Sequence, residues 1–197
     1  MATHGNLQKY ENPNPVQRWL LGRFLQQVGT LVSPLKVTSV LDAGCAEGFV
    51  SRYLRDHLGT QVQFWGVDVD SAALARGQKL TPWMLRCQAS VLSLPYANKQ
   101  FDLVLCNEVL EHLDEPSVAL RELLRVSSGY VLLSVPHEPW FQTLNLLRGK
   151  NLRHWGNDPE HVQHWNMSGF VQALQDQMDI CAAVNAFPWL VVLGKIR

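Results

Sequence analysis

No pair of cysteines in the 197-residue chain is spaced as CxxC; Cys45, Cys87, Cys106 and Cys181 stand far apart. That spacing makes a reducing cytoplasm the expected compartment. The N-terminus lacks the basic-then-apolar pattern of a signal peptide, and no apolar run approaches the ~18 residues of a spanning helix. Charge is scarce as well. Charged residues make up 17% of the chain, below the roughly 25% of an average globular protein, whereas the AVILMFWYC set makes up 47%. Such a composition excludes disorder. Seventeen basic side chains cancel seventeen acidic ones, so no long-range field steers the protein toward nucleic acid or an anionic membrane. Nothing in the sequence fixes an oligomeric state. The length suits a single domain over 1–197 with a full core.

What is present is an alternation of two hydrophobic periods. Asn14-Pro15 offers an N-cap followed by Pro at the first helical position, and Val16, Trp19, Leu20, Phe24, Val28 and Leu31 recur at helical spacing. A helical lead-in over 1–34 follows. Residues 37–41 read as a strand buried on both faces, and Phe49, Tyr53, Leu54 and Leu58 as the helix after it. Strands over 63–67, 83–87, 101–105 and 130–135 are separated by helices over 72–79 and 116–126. From His137 to Trp165 the texture changes, with three tryptophans and several turn signals, which predicts an insertion. A helix over 168–178 precedes two apolar runs, 180–187 and 189–196. Only Pro188 separates them, so they must pair antiparallel. The expected fold is α/β, a doubly wound, mostly parallel seven-stranded sheet with a terminal antiparallel strand pair.

The turn after the first strand reads Asp42-Ala43-Gly44-Cys45-Ala46-Glu47-Gly48. Glycines there let the chain bend sharply and let a ligand approach the backbone at the carboxyl edge of the sheet. Asp68 ends the second strand, where a carboxylate can accept hydrogen bonds from both hydroxyls of a ribose. A nucleoside-containing cofactor is therefore expected. Because Asp42 and Glu47 flank the turn and would repel a pyrophosphate, a cationic cofactor is expected rather than a dinucleotide.

At these residues the sequence resembles the class I S-adenosylmethionine-dependent methyltransferases, in particular the small-molecule group that includes ubiquinone and menaquinone biosynthetic enzymes. The likeness runs over about 37–135 and implies a Rossmann-like sheet. It is carried by Val40 to Gly48, by Gly66-Val67-Asp68, by Leu94-Pro95 with Phe101-Asp102-Leu103-Val104, and by Asn107 to Leu113. It implies that Asp42, Gly44, Gly48 and the Cys45–Ala46 backbone hold the methionine end of S-adenosylmethionine, with main-chain contact from Asn107. Asp68 would clasp the ribose, with Val69, Ser90 and Val91 at the adenine. Two residues depart from the family pattern. Ala46 stands where glycine is usual and is tolerable only at negative φ. Ser90 stands where an aspartate often reads the adenine amine, and its hydroxyl makes a weaker bond than a carboxylate does.

Glu108-x-x-Glu111-His112 would bring two carboxylates and an imidazole onto one face of a helical turn, a face that could bind a divalent metal such as Mg²⁺. The pattern also resembles the metal site of small-RNA 2′-O-methyltransferases and some quinone O-methyltransferases, where a further histidine completes the set. His161 is the candidate fourth ligand, with His164 as its rival. The other reading has His112 packed under the cofactor and Glu111 solvated. His137 and His161 are the candidate general bases. Within the insertion, Trp140, Phe141, Leu144, Leu146 and Leu147 precede Arg148, Lys150 and Arg153. They form either a lid for a lipophilic or anionic substrate or an amphipathic helix buried on the domain. The expected activity is methyl transfer to an oxygen of a small-molecule acceptor. Its alternatives are a catalytically silent cofactor-binding module, a metal-dependent nucleic-acid 2′-O-methyltransferase and, third, a nicotinamide-dependent oxidoreductase.

Overall fold

The structure, a computed structural model, describes residues 6–137, 162–163 and 165–197. A short helix α1 (Leu7–Tyr10) leads into α2 (Pro15–Val32), whose first turn is fixed by the Asn14 side chain accepting from the amides of Val16 and Gln17. Then come β1 (Ser39–Ala43), α3 (Phe49–Leu58), β2 (Gln63–Asp68), α4 (Ser71–Leu80), β3 (Leu85–Gln88) and β4 (Phe101–Asn107). A 3-10 turn at Leu110–His112, α5 (Pro116–Val126), β5 (Ser127–Pro136), α6 (Met167–Gln175), β6 (Asp179–Ala186) and β7 (Trp189–Lys195) complete the described elements.

The sheet runs β3-β2-β1-β4-β5-β7-β6. Its first five strands are parallel, while β7 pairs antiparallel with both β5 and β6. The expected seven-stranded architecture is present. Alternation along β4 shows why both faces must be covered: Leu103 and Leu105 join one core with α2, α3 and α4, whereas Val104 and Cys106 join the other with α5 and α6. Parallel strands buried on two faces need such continuous apolar runs.

Several boundaries differ from the sequence reading, and those of β1 and β5 have a clear cause. β1 starts two residues later and ends two later, because its ladder with β2 begins at the Ser39–Gln63 pair and carries Asp42 and Ala43 into the sheet. β5 starts earlier, at Ser127, where the register with β4 shifts between Phe101 and Leu103. On α2, Val16 and Trp19 do not face the core. They are 58% and 57% exposed, and Trp19 lies against the Arg23 guanidinium, while Leu20, Leu21, Phe24, Val28 and Val32 take the buried stripe.

Because β2 and β3 succeed one another to one side of β1 and β4 and β5 to the other, the chain reverses direction between β1 and β4. A crevice opens there at the carboxyl ends of the strands. It holds a cavity of about 600 Å³.

Candidate functional site

The β1–α3 turn forms one wall of this cavity. Gly44 has φ +81° and packs so closely on Val109 that a Cβ would collide with its Cγ2, and Gly48 has φ +87°. Ala46 also sits at positive φ, +44°, which corrects the expectation of a negative value. Its strain, of order 1–2 kcal/mol for a residue with a Cβ, is offset by what the conformation aims. The Ala46 amide donates to Asp68 Oδ2 at 2.8 Å, a charge-assisted bond. Asp70 donates its amide to the other oxygen, Oδ1, at 2.9 Å. Asp68 thus lines the cavity with both oxygens oriented from the protein side and lone pairs remaining on each.

The amides of Gly44, Cys45, Ala46 and Gly48 are all engaged within the protein. Those of Gly44 and Cys45 donate to the Val67 carbonyl, and that of Gly48 to the Cys45 carbonyl. These bonds, together with the Asp42, Asp68, Asp70 and Glu108 carboxylates that line the cavity and its extension, disfavour a phosphate here. Glu47 does not contribute the repulsion expected of it, since its buried carboxylate takes bonds from the Arg76 guanidinium at 2.7 and 3.0 Å and from the Asn6 amide at 3.0 Å.

Asp42 and Asn107 adjoin the cavity through a small extension lined also by Asn6, Tyr10, Gly44, Cys45, Phe49, Val50 and Glu108. Asp42 is buried with a 2.7 Å bond from the Ser51 hydroxyl. Burial, together with the nearby Asp68 charge, pushes its carboxyl up to about 6 against the pull of Ser51 and Arg86. Asn107 accepts the Ser134 hydroxyl on Oδ1, but its Nδ2 is buried without a hydrogen-bond partner. An orphaned amide donor costs about 1–3 kcal/mol, and a ligand oxygen would satisfy it. Its side chain, not only its main chain, is therefore a candidate contact. At the far end Val69, 65% exposed, presents an apolar wall beside Ser90 and Val91. The Ser90 hydroxyl accepts the Leu92 amide at 3.2 Å and keeps its own proton for a ligand. Acidic walls, an orphan donor and a flat apolar end fit a cationic nucleoside.

The second motif folds differently from the sequence expectation. Glu108 adopts φ +55°, and the following 3-10 turn places Glu108 and His112 at the cavity while Glu111 is buried with neither carboxylate oxygen hydrogen-bonded. Burial and the Glu108 charge raise the Glu111 carboxyl well above its usual range. Glu111 is neither solvated nor on a common face with Glu108 and His112, and Glu108 is ion-paired with Lys9. Among the described residues no group of three or more histidine, cysteine or acidic side chains is arranged to hold a metal. The three side chains do not fit the expected metal face. His137 follows β5, donates its amide to the Pro188 carbonyl at 2.8 Å and approaches Asn185 Nδ2 through Nδ1 at 3.2 Å. It does not line the cavity. His161, His164 and the aromatic stretch from Trp140 to Arg153 lie outside the described residues.

Comparison with known proteins identifies the family of the chain. Residues 41–133 match the family described as methyltransferase domain. The chain belongs to the class I S-adenosylmethionine-dependent methyltransferases. Malonyl-[acyl-carrier protein] O-methyltransferase of Halorhodospira halophila is 32% identical over 150 residues, covering 72% of this chain and 48% of its own length. The 2-methyl-6-phytyl-1,4-hydroquinone methyltransferase of a Synechocystis strain is 27% identical over 163 residues, covering 78% of this chain and 50% of its own. The chain thus spans about half the length of these curated relatives. The methyltransferase fold is also that of the magnesium protoporphyrin IX methyltransferase of Synechocystis, solved with bound SAH, at TM-score 0.73 and 17% identity, covering 97% of this chain and 92% of that one. The cofactor of this methyltransferase domain is S-adenosylmethionine.

Sequence reasoning missed Asn6, Lys9 and Tyr10, all of which reach the cavity or its rim. A four-residue helix carries no periodicity, so no local signal marks them. Only the packing of Tyr10 on Phe49 and of Lys9 on Glu108 brings them there.

Proposed function

We propose that the chain transfers the methyl group of S-adenosylmethionine to an oxygen of a small-molecule acceptor. The observation that carries this reading is the acid-lined cavity at the β1–β4 switch point, with Asp68 braced by the Ala46 and Asp70 amides and the turn amides closed to phosphate. When bound, the cofactor supplies an electrophilic methyl on a positively charged sulfur. The acceptor oxygen takes that methyl as the carbon–sulfur bond breaks.

In this reading Asp68 holds the two ribose hydroxyls, while Val69, Ser90 and Val91 receive the adenine. Asp42, Gly44, Cys45, Ala46 and Gly48 shape the methionine end, where Asn107 Nδ2 donates to a cofactor oxygen. Holding donor and acceptor in line supplies much of the acceleration in such a displacement. A base is needed only where the acceptor oxygen is protonated, and that role is assigned to His161 and, because it borders the acceptor stretch and not the cofactor cavity, to His137 only if the acceptor itself reaches it. The stretch 137–165, most of it outside the described residues, is assigned to the acceptor. An oxygen target is in keeping with the name of the first curated relative, an O-methyltransferase, whereas the name of the second gives a hydroquinone acceptor and no methylated atom. Zero net charge speaks against a nucleic-acid acceptor, because phosphate contacts demand a basic surplus. Among the described residues no helix is long and apolar enough to cross a membrane.

The test is transfer of isotope-labelled methyl from S-adenosylmethionine to a panel of carboxylic acids, hydroquinones and RNA. Label on a small-molecule oxygen supports the proposal. Label confined to RNA, or no transfer together with no cofactor binding, overturns it.

A further inference from the structure

The acidic lining of the site raises a question about the cofactor's own anion. Between them the two connected cavities are lined by Asp42, Asp68, Asp70 and Glu108, and among the described residues lining them there is no lysine or arginine. The sulfonium and ammonium of the cofactor suit such walls, but the carboxylate at the same end of the molecule does not.

Among the described residues a cation stands at the rim of the methionine end, and it belongs to α1. The Lys9 ammonium pairs with Glu108, which lines both cavities, and sits over the Trp189 ring at 4.7 Å from its centre. The short helix is strapped in place on either side of that lysine. Tyr10 stacks on Phe49 with ring centres 4.4 Å apart and planes 2° from parallel, and the Asn6 amide is held by Glu47. The Gln17 side chain, from α2, donates to the Lys9 carbonyl at 3.1 Å. Tyr10 itself lines the methionine-end extension, and Asn6 lines both cavities. Five contacts made through side chains, for a helix of one turn, fix the ammonium near the extension, and only one of its three N–H donors is needed by Glu108.

We infer that α1 is a strap that reads the amino-acid end of the cofactor, with Lys9 as the counter-ion for its carboxylate. The inference rests on the cofactor reading above and adds the group that recognises the one feature the acidic walls would repel. The Tyr10 ring, flat on Phe49, lines the extension, and its hydroxyl is a second donor of the same strap.

Calorimetric titration of the full chain with S-adenosylhomocysteine and with 5′-methylthioadenosine tests this, because the second ligand keeps the nucleoside and the sulfur but has no carboxylate. Lys9→Met is expected to weaken S-adenosylhomocysteine about tenfold while leaving methylthioadenosine within about twofold, and Lys9→Arg to recover most of the loss. Tyr10→Phe, which keeps the stack, is expected to lose less than Lys9→Met and on the same ligand only. Equal loss on both ligands, no loss, or tighter binding of S-adenosylhomocysteine by Lys9→Met overturns the inference alone, the last result marking Lys9 as a plug that competes with the cofactor. A wild-type chain that binds neither ligand overturns the cofactor reading and this inference with it.

Discussion

Asp42 is 3% exposed, with a single side-chain bond from Ser51. Its carboxyl therefore titrates at about 6 instead of near 3.8, chiefly through burial. In a folded state that holds the proton more tightly than the unfolded chain, the associated stability is fully present below about 3.8 and is lost as pH climbs through about 6. The unliganded protein therefore loses stability over that interval. Binding of a cation runs the other way, since the ionised carboxylate is the form that attracts it. At pH 5 roughly one-tenth of Asp42 is ionised, a decade below its midpoint. Affinity for S-adenosylmethionine relative to its uncharged-sulfur product is expected to rise several-fold, and at most about tenfold, between pH 5 and pH 7.5. Paired titrations at the two pH values check this, with Asp42→Asn expected to flatten the difference. A ratio that does not move with pH removes Asp42 from the sulfonium's surroundings. Ala46 teaches a related lesson about single residues: from sequence its Cβ argued for negative φ, yet the bond it aims at Asp68 outweighs the strain. A side-chain rule could not weigh a partner that is distant in the chain.

The elements themselves were largely legible because their signals are local and repeated. Asn14-Pro15 fixed where α2 starts, the apolar runs of β4 and β5 announced strands covered on two faces, and the single residue between the last runs forced an antiparallel pair. What stayed illegible has a different cause. The insertion of β7 between β5 and β6, the two-residue shift of β1 and the docking of α1 are decided by which distant strand or ring each segment meets. The start of β1 illustrates it. Asp102, at the head of β4, accepts on Oδ2 from the Thr38 amide at 2.7 Å, the Thr38 hydroxyl at 2.8 Å and the Ser39 amide at 3.1 Å, and its own amide donates to the Ser39 hydroxyl at 3.0 Å. Burial alone would raise this carboxyl, but the donors of Thr38 and Ser39 together hold it below its usual value. The cluster pins the β1–β4 register from the amino ends of the two strands. Asp102→Ala is expected to destabilise by about 1–2 kcal/mol, the lower part of the range for charged hydrogen bonds because the site is largely open to water. Denaturant titration measures it, and a change below about 0.3 kcal/mol would mean that strand pairing holds β1 without this clasp.

At the scale of the whole molecule, the two hydrophobic cores share one sheet, and alternate residues of β4 belong to each. Neither core can open without stripping the other's wall, so the chain is expected to unfold as one cooperative unit. The cavity touches β1 through its turn, β2 at Asp68, the loop after β3 at Ser90, and the end of β4 at Glu108. A ligand seated there bridges four strands at their common edge and stabilises the unit as a whole. With S-adenosylhomocysteine at about a hundred times its dissociation constant, linkage predicts about 2.7 kcal/mol of added stability. For a domain of this size that is an upward shift of roughly 5–10 °C in Tm. Scanning calorimetry should show the entire transition moving by that amount, with NAD moving it not at all because the turn amides are closed to its pyrophosphate. Two transitions, of which only one responds, would mean that the halves of the sheet on either side of the β1–β4 boundary fold separately, and the crevice between them would then be a flexible junction instead of a preformed cradle.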